Sequence, residues 1–224
     1  RELMRHSLLL AIGLLVSDAA DTSRVLHWVI RVTSLEDTVS FATDVMGMKV
    51  LRHEENDEPC PLTCNGLYDT PWSKTMVGYG PEDTNYALEL TYNYGITSYA
   101  RGEGLKRFVF SIEGAAVVLE RARARGLIVE GGVITGPDSY EYEVTEKEAT
   151  GSDEPFRAVV LKAANPKALG GWYADVLGMH AVPFQSGSVA VAFPSSSLQV
   201  AFVIEPTADS MPPKIEQWEG RNAI

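Results

Sequence analysis

The sequence predicts an α+β fold built from repeated βαβββ modules, whose curved mixed sheets enclose a cleft. The first observation behind this is an internal duplication. Phe41-Ala-Thr-Asp-Val-Met-Gly-Met48 recurs as Trp172-Tyr-Ala-Asp-Val-Leu-Gly-Met179, and the offset from Ser34 to Asn165 is the same as that from Gly47 to Gly178. The second is what flanks each copy: an apolar, strand-like run precedes it (26–32 and 158–163) and further strand-like text follows. The third is punctuation. Ser34 and Asn165 are natural helix N-caps, and Gly47 and Gly178 stand where a left-handed C-cap is needed, so each copy holds a helix of about three turns.

Taken in order, module one has its first strand at 26–32, its helix between Ser34 and Gly47, and strands at 49–53, 75–79 and 86–91. Module two opens with a strand at 106–112. An amphipathic helix at 115–125 follows, with Ala116, Leu119 and Ala122 on one face and Gly126 at its end. Strands at 129–134 and 140–146 flank Gly136-Pro137-Asp138-Ser139, a turn signature. The polar stretch 148–154 reads as an interdomain linker. Module three, 156–205, has strands at 188–193 and 198–205 around a Pro194-Ser-Ser-Ser turn. The expected organisation is a first domain over 23–148 (modules 23–103 and 104–148) and an incomplete second domain over 154–224. The tail from Met211 resembles the lead-in to a fourth module. Module three alone would leave apolar sheet exposed, so either the chain is cut short or a homodimer supplies the missing half.

Composition sets bounds. At 224 residues with 45% hydrophobic content, a sizeable core is accessible. A net charge of −11 repels phosphate backbones and disfavours a nucleic-acid partner. From Met4 the text reads like a secretory signal: basic Arg5 and His6, apolar 8–16, small Ser17 and Ala19. Nine apolar residues are too few to span a bilayer, and no membrane partner is expected. The alternatives for residues 1–22 are a terminal helix or non-coding sequence, which leaves secretory or organelle targeting against a cytoplasmic or mitochondrial location. Cys60 and Cys64 lack the second Cys or His pair of a zinc site. They read as inert thiols, with a local disulfide or redox pair as the alternative.

Several runs resemble the vicinal-oxygen-chelate superfamily, glyoxalase I in particular. Leu26-His-Trp-Val-Ile-Arg-Val32 resembles the first strand, Asp44-Val-Met-Gly-Met-Lys-Val50 the helix exit, and Val77-Gly-Tyr-Gly-Pro-Glu-Asp83 and Ala87-Leu-Glu-Leu-Thr-Tyr-Asn-Tyr-Gly95 the third and fourth strands. The resemblance implies a metal-dependent isomerisation of the methylglyoxal–glutathione hemithioacetal. Modules one and two would frame a cleft holding a divalent ion (Zn, Ni, Co or Mn). By residue, it implies His27, Glu89 and Glu143 as metal ligands, with Glu89 and Glu143 also as catalytic carboxylates. Asp138-Ser-Tyr-Glu-Tyr-Glu143 matches the family's Asp-Gly-Tyr-x-x-Glu apart from its second residue. Arg31, Asn93 and Arg101 match substrate contacts. A Lewis acid binding both oxygens stabilises the enediolate while a carboxylate moves the proton between neighbouring carbons.

The pattern breaks at Arg107, where a module-two histidine is expected. A guanidinium cannot coordinate a metal; it would repel a dication, pair with Glu89 or Glu143, and otherwise serve as a cationic substrate contact. In module three the places of His27 and Glu89 fall on Ala158 and, approximately, Ala201, which carry no metal chemistry. Taken singly, His27 is a strand histidine and Glu143 a solvent-facing carboxylate. Two readings stay open: a lactoylglutathione lyase-type enzyme acting on a small glutathione adduct, or a degenerate glyoxalase domain with a binding or regulatory role.

Overall fold

A computed structural model describes residues 23–62, 64–148, 153–184, 188–194 and 200–208. The signal-like segment, the Ser195–Ser197 part of the expected turn and the tail from 209 lie outside them. Module one comprises β1 (His27–Arg31), α1 (Leu35–Ser40), β2 (Lys49–Asn56), β3 (Trp72–Gly78) and β4 (Ala87–Asn93). The Ser34 hydroxyl accepts from the Asp37 N–H and starts α1, which runs on into a π-helical turn over Phe41–Val45. Module two comprises β5 (Leu105–Ile112), α2 (Ala115–Ala124), β6 (Ile128–Glu130), β7 (Val133–Thr135) and β8 (Glu141–Glu146). Module three comprises β9 (Phe156–Ala163), α3 (Pro166–Leu177), β10 (His180–Ala181), β11 (Val189–Ala192) and β12 (Ala201–Pro206). The strand expected at 129–134 is a hairpin instead. Gly131 and Gly132 both have positive φ, 56° and 86°, and together make a two-residue turn between β6 and β7.

Each module repeats one topology. Its first strand runs parallel to its last, and the other two follow antiparallel: β1-β4-β3-β2, β5-β8-β7-β6 and β9-β12-β11-β10. The pairing of modules differs from expectation. Modules two and three, not one and two, share a sheet. β5 joins β9 antiparallel, fusing eight strands, while module one keeps its own four-stranded sheet. The expected boundary at 148–154 therefore cuts across a continuous sheet. The physical reason lies at the β5 edge, whose outward backbone groups are met by module three: Ser111 N–H donates to the Pro155 carbonyl, and Lys162 N–H donates to the Gly104 carbonyl, both at 2.8 Å. Among the described residues, the module whose first strand meets no other module is the first one.

The main core lies between the two sheets. Phe41 of module one packs on Tyr142 (ring centroids 4.8 Å apart), Tyr86 on Phe156 (4.0 Å) and Tyr79 on Phe110 (6.3 Å). Glu154, placed in a polar linker by sequence, is buried at this seam. Its carboxylate accepts from the Asn85 side chain and from the Tyr86 and Phe156 N–H groups. A smaller apolar cluster of Val109, Ala158, Val160, Ala190, Ala192, Ala201 and Val203 lies on the opposite face of the eight-stranded sheet.

Candidate functional site

Strand alternation sorts module one into two faces. Ile30, Leu88 and Leu90 join the core, so His27, Val29 and Arg31 on β1 and Glu89, Thr91 and Asn93 on β4 turn to the other face. There His27 Nε2 and Glu89 Oε2 stand 3.4 Å apart; the imidazole is 38% exposed and the carboxylate 11%. Beside them Arg52 grips Glu82 through Nε and Nη2, at 3.0 and 3.1 Å. The Arg52 hydrogen bonds, then the fields of Arg52, His27 and Lys74, hold the Glu82 carboxyl below its usual range against the opposing effect of burial. Glu89 adds to the charge that raises Arg52 in turn. The result is a patch of paired charges on the open face of the β1–β4 strand pair.

Glu143 does not join that patch. It sits opposite Val109 on β5, as Glu89 sits opposite Val29 on β1, so Arg107 occupies the place equivalent to His27. Arg107 Nε donates to Glu143 (2.5 Å) and its Nη2 to Glu205 (3.1 Å), and Lys106 also pairs with Glu205. The expected set of His27, Glu89 and Glu143 is thus divided between two sheets, because β5 pairs with β9 and not with module one. In module three the strand register puts Val203, not Ala201, in the place of Glu89. Glu205, two residues on, is a site residue that sequence reasoning missed, as is Tyr99 in module one. Lying on the same face of β12 as Val203, Glu205 answers a basic residue of another module, and no local motif marks it.

Three of the four predicted substrate contacts, Arg31, Asn93 and Arg101, gather beyond Glu89, while Arg107 lies apart with Glu143 and Glu205. Arg31 lies against Gly66, where a Cβ would come within 2.8 Å of its guanidinium, and over the Tyr68 ring. Asn93 is buried. Its backbone and side-chain N–H groups donate to the Tyr99 hydroxyl, and its Oδ1 has no partner. Since Tyr99 accepts from Asn93, its own proton is left to donate, and burial pushes its ionisation up. Arg101 stacks 3.9 Å from the Tyr140 ring centroid and donates to the Asp138 carbonyl. Asp138 and Ser139 both have positive φ (54° and 59°), and the Asp138 carboxylate takes the N–H and hydroxyl of Thr33, which holds that conformation. Val29, Arg31, Cys64, Tyr99, Arg101 and Tyr140 line a cavity of about 210 Å³. Cys60 and Cys64, read first as inert thiols, are joined in a disulfide at its rim.

Among the described residues a divalent ion fails the donor test. His27 and Glu89 offer two donors, Arg107 offers none, and among the described residues no group of three or more His, Cys, Asp or Glu side chains could hold a metal.

Three tandem βαβββ modules, with an imidazole–carboxylate pair on the open sheet of the first, define the class. Residues 24–147 match the model of the glyoxalase/bleomycin resistance protein/dioxygenase superfamily, and the chain belongs to that family. It is 39% identical over 160 residues to glyoxalase domain-containing protein 4 of Rattus norvegicus, covering 70% of this chain and 53% of that protein. It is 34% identical over 171 residues to a lactoylglutathione lyase of Arabidopsis thaliana, covering 71% and 56%. A crystal structure of a glyoxalase I mutant from Zea mays superposes with a TM-score of 0.69 at 25% identity, over 83% of this chain and 68% of that one. The chain spans about half the length of these curated relatives. Among the described residues no helix is long and apolar enough to cross a membrane.

Proposed function

We propose that the chain acts as a lactoylglutathione lyase-type isomerase on a small glutathione adduct, with its chemistry on the module-one face. The observation that carries this is the His27–Glu89 pair on neighbouring parallel strands. Glu89 is the carboxylate that moves a proton between adjacent carbons, with His27 beside it. Arg31, Arg101 and the Tyr99 hydroxyl, lining one cavity, suit the carboxylates of an anionic thiol conjugate. Likeness to a protein named lactoylglutathione lyase supports the substrate class. The test is formation of lactoylglutathione from methylglyoxal and glutathione with added Ni or Zn. Glu89→Gln is expected to lower the rate by about 100-fold or more. No product above background from the unaltered chain, under conditions where it binds the added ion, would sink the proposal.

A second reading is favoured by Arg107. Where a coordinating group is expected, the shared sheet of modules two and three holds a guanidinium paired with Glu143 and Glu205. That face serves as a binding or packing surface without metal chemistry. If its role is binding, Arg107→Ala weakens glutathione-adduct binding in calorimetry and leaves module-one turnover unchanged.

A further inference from the structure

The loop between β2 and β3 holds a pair of sulfurs that the proposed reaction does not use. The chain's two cysteines, Cys60 and Cys64, form a disulfide there. Asn65 is buried and fastens the loop: its Oδ1 accepts from the Cys60 N–H at 3.1 Å, and its Nδ2 donates to the Tyr68 carbonyl at 2.9 Å. Gly66 adopts a φ of 83° and lies against the Arg31 guanidinium, which is also 5.9 Å from the Tyr68 ring centroid. Tyr68 meets Tyr99 edge to face, with ring centroids 5.5 Å apart. The disulfide loop therefore packs on the cationic end of the cavity that Arg31, Tyr99 and Arg101 line, and Cys64 is part of that lining.

The two sulfurs are not equivalent. Cys64 is exposed and lines the cavity, whereas Cys60 is half-buried and its N–H is tied to Asn65. The rate of thiol–disulfide exchange depends on access, on which sulfur is attacked and on the thiolate fraction of the attacking thiol. A thiol that carries carboxylates is drawn to the two guanidiniums lining the same cavity, which raises its local concentration beside Cys64. A cationic thiol is repelled by them.

We propose that the Cys60–Cys64 disulfide is an exchange site for an anionic thiol of the glutathione class. The inference rests on the reading that this cavity takes the carboxylates of a glutathione adduct. The bound thiolate attacks Cys64 Sγ, the S–S bond breaks, and its electron pair leaves on Cys60 as a thiolate. Cys64 is left as a mixed disulfide, with the glutathionyl group in the cavity. A second glutathione thiolate attacks the glutathionyl sulfur and releases oxidised glutathione, leaving Cys64 as a thiolate. Two thiols are oxidised to one disulfide, the protein disulfide gains their two electrons, and the protons they lose are taken up by Cys60 and Cys64. While the mixed disulfide lasts, it blocks the cavity.

The test incubates the full chain with reduced glutathione or with cysteamine, a cationic thiol, at equal thiolate concentration. An alkylating reagent quenches the reaction, and intact mass with peptide mapping reads the products. The expected result is a glutathionyl group on Cys64 and an alkyl group on Cys60, formed about tenfold faster with glutathione than the corresponding cysteamine product. Arg31→Ala and Arg101→Ala should each cut that preference roughly threefold or more, as should high salt in the unaltered chain. Cys60→Ser, offered oxidised glutathione, should take up one glutathionyl group at Cys64, and Cys64→Ser should react more slowly at Cys60. Equal rates for the two thiols, a glutathionyl group on Cys60, a preference that survives both arginine variants, or a disulfide that glutathione leaves intact would each overturn the proposal. Calorimetry with S-methylglutathione, which cannot exchange, keeps this inference apart from the reading beneath it. Binding of that probe without a glutathione preference in exchange sinks the exchange site alone, whereas loss of both binding and preference sinks the two together.

Discussion

At the scale of single residues, the most consequential side chain is one that cannot do the chemistry its position implies. Arg107 pairs with two carboxylates that are each only 13–21% exposed. Truncating one member of such a group leaves charge stranded, at a larger cost than the group's net worth. Arg107→Met should lower unfolding stability by about 2–3 kcal/mol in urea titration, and adding Glu143→Gln should recover part of it. Glu154 makes a parallel case, since three N–H groups are held by one carboxylate. Glu154→Ala orphans all three and is expected to cost about 2–3 kcal/mol. Glu82 is different in kind. Its pKa is depressed by Arg52, so the pair stabilises the fold above the unfolded carboxylate pKa, near 4.3, and that stability is lost as pH falls through the lower folded value. Because Glu82 is about a third exposed, the gain stays below about 1 kcal/mol. Glu82→Gln should lower the neutral plateau of a stability–pH curve by less than about 1 kcal/mol and flatten its acid limb below about pH 4.5.

At the scale of elements, the hairpin of β6 and β7 turns on two glycines in the left-handed region. Gly132→Val should destabilise by about 1 kcal/mol or more, because a branched side chain resists positive φ and its Cβ would meet the Val144 carbonyl at 3.3 Å. Circular dichroism melts would register it. This is also where sequence and structure part. The helices were legible because caps and periodicity are local: Ser34 and Asn165 do accept from Asp37 and Ala168. Most strands were legible from apolar runs. The Gly-Gly turn was absorbed into one strand because three-residue strands are too short to show alternation. His27 and Glu89 could be placed together because a parallel first-to-last strand pairing is fixed within one module. Glu143 could not be placed with them. Its neighbours depend on which module edge meets which, and β1, β5 and β9 carry similar apolar runs with nothing in the local pattern to choose among them. Glu205 was invisible for the same reason.

At the scale of the whole molecule, slow exchange should mark the β5–β9 joint. Its strands are central in an eight-stranded sheet and backed by Phe108, Phe110 and Phe156. Hydrogen exchange should find their amides the last to open and those of edge strands β6 and β10 among the first. Equal protection across the sheet would argue against this order of stability. The joint has a further consequence for the chain's integrity. β5 and β9 are held by a ladder as well as by the peptide connecting their modules, so a single backbone scission between β8 and β9 would not release a fragment. The nicked particle would keep its hydrodynamic size in native buffer and come apart only in denaturant.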